Sequence, residues 1–117
     1  MKNLSLNIDA NLEQYIVSAK TTNALPMIPD SKGIRYRFEF PNKWNASVIK
    51  LWSSYGWDSD EWELAVIDKD DRLHYNNPIC RGVDVIGWLD DGDVNDILHQ
   101  IAEWEPDAIW PEYEEEV

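Results

Sequence analysis

Alternation of apolar and polar side chains is the strongest pattern in the chain. In "IRYRFEF", residues 34–40, Ile34, Tyr36, Phe38 and Phe40 fall on one side and Arg35, Arg37 and Glu39 on the other, as a half-buried strand requires. "PNKWN" follows as a turn, with Pro41 and Asn42 as breakers. "ASVIKLW", residues 46–52, reads as a second strand whose imperfect alternation suggests cover on both faces. "EWELAVI", residues 61–67, makes a third, with Trp62, Leu64 and Val66 on one face and Glu61 and Glu63 on the other. After the polar turn "DKDDR", "LHYN" returns as a short fourth strand. Four consecutive strands with short links favour an antiparallel meander.

The period then changes. In "DDGDVNDILHQIAEW", Val94, Ile97, Leu98, Ile101 and Trp104 recur at helical spacing. Asp90 caps this helix and Asp93, three residues on, completes a capping box, while Pro106 ends it. The segment between, "NNPICRGVDVIGWL", is irregular, with room for a short strand or a turn of helix. At the other end, "LSLNI" alternates like a short strand, whereas "DANLEQYIVSAK" places Leu12, Tyr15, Ile16 and Ala19 at helical spacing behind Asp9 as N-cap. Pro26 and Pro29 then interrupt regular structure. The expected fold is α+β: a four-stranded antiparallel meander packed by a C-terminal helix, with an N-terminal helix and an acidic C-terminal tail. A chain of 117 residues suits one domain, 1–117, with residues 33–104 as core sheet and helix and 105–117 as an acidic, aromatic tail.

Charge sharpens this picture. Residues 1–55 hold seven bases and four acids, and residues 56–117 hold three bases and 19 acids, giving net charges of +3 and −16. A surface this negative repels nucleic acid and anionic membrane and attracts basic proteins, although acids also serve solubility alone. Seven tryptophans are many for this length. The tail "EWEPDAIWPEYEEEV" sets Trp104, Ile109, Trp110 and Tyr113 among seven acids. Two readings of it stand side by side. The rings anchor in a partner while the acids steer, or they fold back as the rim of the core. Trp104, at a core position of the helix, fits the second reading better, and Trp110 and Tyr113, beyond Pro106, the first. Trp44, Trp52, Tyr55 and Trp57 make a second aromatic group, too large for one small core unless some meet at a homodimer interface or a patch for a foreign protein.

Candidate chemistry adds little. Cys80 is alone, so no internal disulfide forms and a reducing cytoplasm is the simplest home. Nothing resembles a signal peptide or a membrane span. His74 and His99 are the only imidazoles, and neither is placed beside Cys80 by any motif. "DKDD" and "DDGD" lack the register of a calcium loop and read better as a turn and a helix cap. No motif calls for a cofactor or a metal, and an enzyme is not expected.

The pieces "FEFPN", "ASVI", "SYG", "WELAVI", "NPI", "DVIGWL" and "DVNDIL..I", spread over residues 38–101, resemble a group of short accessory proteins of bacteriophages and related mobile elements. The resemblance implies a protein acting in the cytoplasm of a bacterial host, which favours an inhibitor of host machinery, but it carries no catalytic residues.

The combined expectation is a non-enzymatic acidic inhibitor. It would bind a basic host defence or nucleic-acid-handling protein, with no direct nucleic acid or membrane contact. Its positions are Glu61, Glu63, Asp90, Asp91, Asp93, Asp96, Glu103, Glu105, Trp110, Glu112, Tyr113, Glu114 and Glu115. Asp93, Asp96 and Glu103 line the solvent side of the helix, and two rises of ~3.3 Å set Glu61 and Glu63 roughly 7 Å apart. Such rows can mimic strand phosphates, which carry about one charge per 3.4 Å of axis. The alternatives are an immunity protein or antitoxin against a basic nuclease, a small enzyme or ligand-binding module near "SSYGWDSDEW" and Cys80, and a virion accessory.

Overall fold

The computed structural model describes residues 2–113. Five antiparallel strands lie in chain order: β1 (Ile16–Thr21), β2 (Ile34–Glu39), β3 (Asn45–Lys50), β4 (Trp62–Ile67) and β5 (Ile86–Leu89). A four-residue helix α1 (Ala10–Glu13) precedes β1, and α2 (Asp91–Glu103) follows β5. The architecture is α+β, and the sheet has one strand more than the pattern predicts.

The inward faces of the three central strands follow the expected alternation. Ile34 and Phe38 of β2, Ala46 and Val48 of β3, and Trp62, Leu64 and Val66 of β4 are buried together with Val94, Leu98 and Ile101 of α2. The expected capping box is present: Asp90 accepts from the Asp93 N–H at 2.7 Å and Asp93 accepts from the Asp90 N–H at 3.1 Å. At the other end Asn42, in the β2–β3 turn, donates to the Ile101 and Trp104 carbonyls at 2.8 Å each, satisfying acceptors that a helix terminus leaves open.

Three expectations are corrected. "DANLEQYIVSAK" is helical only over Ala10–Glu13, and its second half is the edge strand β1. Adjacent β-branched Ile16 and Val17 favour a strand, and pairing with β2, Lys20 opposite Arg35 and Ala19 opposite Tyr36, decides the matter. "LHYN" is no strand: Leu73 makes only an isolated bridge to Ile67. Asp71, at φ 62°, turns the chain, and the buried Asn77 side chain then gathers it by accepting from the Ile79 and Cys80 N–H groups. The place beside β4 goes instead to "IGWL". Finally, "LSLNI" has no regular structure. It crosses the core face as an irregular segment, burying Leu6, held by the Tyr36 hydroxyl donating to the Leu4 carbonyl at 2.9 Å and by Asn95 of α2, which donates to Asn7 and accepts from the Asp9 N–H at 2.8 Å each. The core therefore begins well before residue 33, since Leu6 and Leu12 belong to it.

The other face of the sheet carries Lys20, Arg35 and Arg37, the last paired with Asp71. Folding thus leaves part of the basic half on the open sheet face, opposite the acidic helix. Among the described residues no helix is long and apolar enough to cross a membrane.

Candidate functional site

The tail folds back as far as it is described. Trp44, buried just before β3, is the centre of a ring cluster. It meets His74 at 4.9 Å, Trp104 at 5.1 Å and Trp110 at 5.8 Å between centroids, and its indole N–H donates to the Glu105 carbonyl at 2.9 Å. Asn76 clamps the chain further on, donating to the Trp110 carbonyl at 3.1 Å and accepting from the Tyr113 N–H at 2.9 Å. Trp110 and Tyr113 are half-buried rather than free, which corrects their expected exposure, and the large apolar residue left outside is Ile109. Glu114 and Glu115 lie outside the described residues.

The expected carboxylates divide by employment. Asp90 and Asp93 are closed in the capping box. Asp91 accepts from the Trp62 indole at 2.7 Å and from the Asn7 N–H at 3.3 Å. Glu63 accepts from the Tyr55 N–H at 3.0 Å, and Glu61 is half-buried beside it. Asp96 and Glu103 on α2, with Glu105 and Glu112 beyond it, are exposed. Glu63, Asp90, Asp91 and Asp93 are therefore parts of the scaffold first, whereas Asp96, Glu103, Glu105 and Glu112 make no side-chain hydrogen bond or ion pair among the described residues.

The aromatic surface lies elsewhere. Trp88 is 59% exposed, Tyr55 54% and Trp52 44%. They stand around a groove of about 340 Å³ whose wall includes buried Trp57 and whose rim carries Asp58. Trp88 stacks on Tyr55 at 5.3 Å between centroids, and Trp52 meets Trp57 edge-on at 6.0 Å.

The backbone explains how these rings come to face water. Trp62 pairs with Leu89 and Leu64 with Ile86, so Gly87 and Trp88 together oppose Glu63 in a β-bulge. Trp88 sits there at φ +55°, a left-handed conformation that costs a bulky residue about 1–2 kcal/mol. Gly87 is required at the contact, because a Cβ there would lie 2.3 Å from the Cβ of Tyr55. The facing loop is equally bent, with Ser53 at φ 70° and Asp60 at φ 58°. Strain of this kind persists where surrounding structure imposes it, and such places cluster at functional sites.

If that conformation serves display rather than packing, Trp88→Gly should leave stability within about 1 kcal/mol of the parent, because relief of the left-handed backbone offsets the lost stack of about 0.5–1.5 kcal/mol. Urea denaturation checks this, and a loss above about 2 kcal/mol would make the ring a structural one.

Sequence reasoning flagged Trp52, Tyr55 and Trp57 but missed Trp88. The available signal was the Gly87–Trp88 pair, a glycine interrupting an apolar run before a large ring.

The enzyme alternative draws on His74, Cys80 and His99. Asn77 bridges His74 and Cys80, with its amide nitrogen 3.1 Å from the His74 Nδ1 and its oxygen accepting from the Cys80 N–H at 2.8 Å. Cys80 is buried, and burial pushes its thiol pKa up, outweighing the Asn77 and Val66 hydrogen bonds, the reverse of what a nucleophile needs. Burial lowers the His74 pKa, with Asp68 opposing, and the two grooves that His74 touches do not reach Cys80. His99 is remote from both, paired with Asp9 at 2.8 Å.

No protein-family model, curated protein or solved structure matches this chain.

Proposed function

We propose that this protein is a non-enzymatic binding protein that captures a basic protein through the Trp52–Tyr55–Trp88 surface, with the α2 and tail carboxylates steering the encounter. The observation that carries this reading is Trp88, held left-handed at a bulge with most of its ring in water and stacked on Tyr55. Exposed indole and phenol rings beside carboxylates are the usual anchors of a protein interface. A net charge of −13 selects partners of opposite sign and speeds their approach. The helix that carries the exposed acids Asp96 and Glu103 begins close by, since α2 starts at Asp91, three residues after Trp88. The likeness of residues 38–101 to phage accessory proteins supports a partner in a bacterial host, a defence or nucleic-acid-handling protein that the binding inhibits.

The rings carry this reading further than mimicry by carboxylate rows, because the capping box and the Trp62 and Tyr55 hydrogen bonds already occupy several members of those rows. The test is retention of proteins from a nuclease-treated bacterial lysate on the immobilised chain. A basic protein should be retained, released by raised salt, and held at least tenfold more weakly by the folded Trp52→Ala/Trp88→Gly variant. Retention that ignores both salt and these rings overturns the reading.

A further inference from the structure

We infer that the groove between Trp52, Tyr55 and Trp88 is a receptor for an arginine side chain of the partner. The inference rests on the reading just given and names the group that the surface recognises. At about 340 Å³ the groove is near the small end of ligand sites, suited to one side chain rather than a large molecule. It is lined by the rings of Trp52, Tyr55, Trp57 and Trp88 together with Ser53, Ser54 and Asp58. An aromatic face carries a negative quadrupole that attracts a cation, indole most strongly.

The chain already uses indoles in this way. The Lys2 ammonium stands 5.1 Å from the Trp57 ring centre and the Lys50 ammonium 4.2 Å from that of Trp62. Among the described residues no such cation covers Trp52 or Trp88. Lys2, whose ammonium donates to the Trp57 carbonyl and acts electrostatically on the Asp60 carboxylate, is the positive charge next to the groove. Asp58, exposed on the rim, has no hydrogen-bond or ion-pair partner among the described residues.

Aromatic rings beside an unpaired carboxylate select arginine over lysine. A guanidinium stacks on a ring and still offers two parallel N–H groups to a carboxylate, whereas an ammonium is compact and strongly hydrated. The charge of the whole chain excludes an acidic ligand.

The experiment titrates the protein with arginine amide, lysine amide and N-acetylglucosamine while following indole N–H resonances by NMR. Arginine amide should shift the Trp52 and Trp88 signals saturably and leave Trp44, whose N–H is bonded to Glu105, in place. Lysine amide should bind several-fold more weakly, and Asp58→Asn and Trp88→Gly should each weaken arginine amide about three- to tenfold. Equal binding of lysine, preference for the neutral sugar, unsaturable shifts, or indifference to both variants each overturns the inference. Failure of this inference and of the function reading separate cleanly. Retention of a basic protein that depends on Trp52 and Trp88, without arginine selectivity, removes the arginine receptor and keeps the docking surface. Arginine selectivity with ring-independent retention removes the docking surface and keeps the receptor.

Discussion

Trp44→Ala is expected to destabilise the fold by about 3–5 kcal/mol and to release the chain beyond Pro106 to protease. The ring is buried, and it is the common neighbour of Trp104, Trp110 and His74. Removing it leaves a hole that three rings of different elements border, and these cannot all close on it at once. Its N–H also holds the Glu105 carbonyl at the point where α2 gives way to the tail. Residues 105–113 then keep the half-buried Trp110 ring against Trp104 and His74, the exposed Lys69–Asp107 pair and the Asn76 clamp near the far end. Trp110→Ala should therefore be milder, about 1–2 kcal/mol, because its ring is only half-buried. Denaturation curves for the two variants and the time course of limited proteolysis decide the matter. Equal small losses, with the tail as protected as before, would mean that the rings cover the sheet without holding it.

This arrangement answers why large rings stand among the tail acids. Trp104 and Trp110 close one end of the sheet, and among the described acids around that seal Glu103, Glu105, Asp107 and Glu112 are exposed. A carboxylate on a fixed backbone keeps its place relative to its neighbours, which a loose tail would not allow. The packing role of the rings and the steering role proposed for the acids are thus compatible, whereas an anchoring role for Trp110 would require the seal to open.

Legibility in the sequence followed the range of the forces involved. The faces of β2 and β4, the buried stripe of α2 and its capping box were readable because each is set by neighbours a few residues apart. β1 was misread because Leu12, Tyr15, Ile16 and Ala19 satisfy a helical period, while the hydrogen bonds that make Ile16–Thr21 a strand come from β2, whose paired residues run from Phe38 opposite Ile16 to Ile34 opposite Thr21. β5 was obscured by its own bulge, since Trp88 at positive φ breaks the alternation by which strands are recognised. The same bulge hid the site. Trp52, Tyr55 and Trp57 were visible as an aromatic surplus, but nothing local announces that Trp88 is swung across to Tyr55. Lys50, by contrast, was readable and overlooked: Ala46, Val48 and Lys50 share one face of β3, so the alternation itself sends the lysine inward.

That inward lysine yields the second large expectation. Lys50→Ala should cost about 3 kcal/mol, while Lys50→Met should cost about 1 kcal/mol or less. The Lys50 side chain is 2% exposed; its ammonium lies over the Trp62 ring and donates to the Asn3 carbonyl at 2.6 Å and to Asp60 at 2.9 Å. Alanine removes both the charge and the stem that fills the space against Trp62, whereas methionine restores the stem, and a buried ion pair gains little over an apolar side chain of similar volume. Asp60→Asn keeps an acceptor oxygen for the buried ammonium but removes its counter-charge. Because the Asp60 side chain is 42% exposed, water screens that loss, which should fall to about 1–2 kcal/mol. The pH dependence fixes the origin of the effect. Burial, the largest single influence, raises the Asp60 pKa, but the Lys50 hydrogen bond, the Asn3 N–H and the charges of Lys50 and Lys2 together outweigh it and hold the carboxyl below its ordinary value. A carboxyl lowered by folding contributes stability in full above its unfolded pKa, and this is lost as pH falls through the folded one. Urea denaturation below the ordinary carboxylate range should therefore show the parent losing stability faster than Lys50→Met, the gap between them narrowing and then reversing if methionine packs well. Parallel acid limbs would place the stabilising role in the Lys50 stem and its contact with Trp62, with the charge along only because the segment carrying Asn3 and Asp60 can accommodate it.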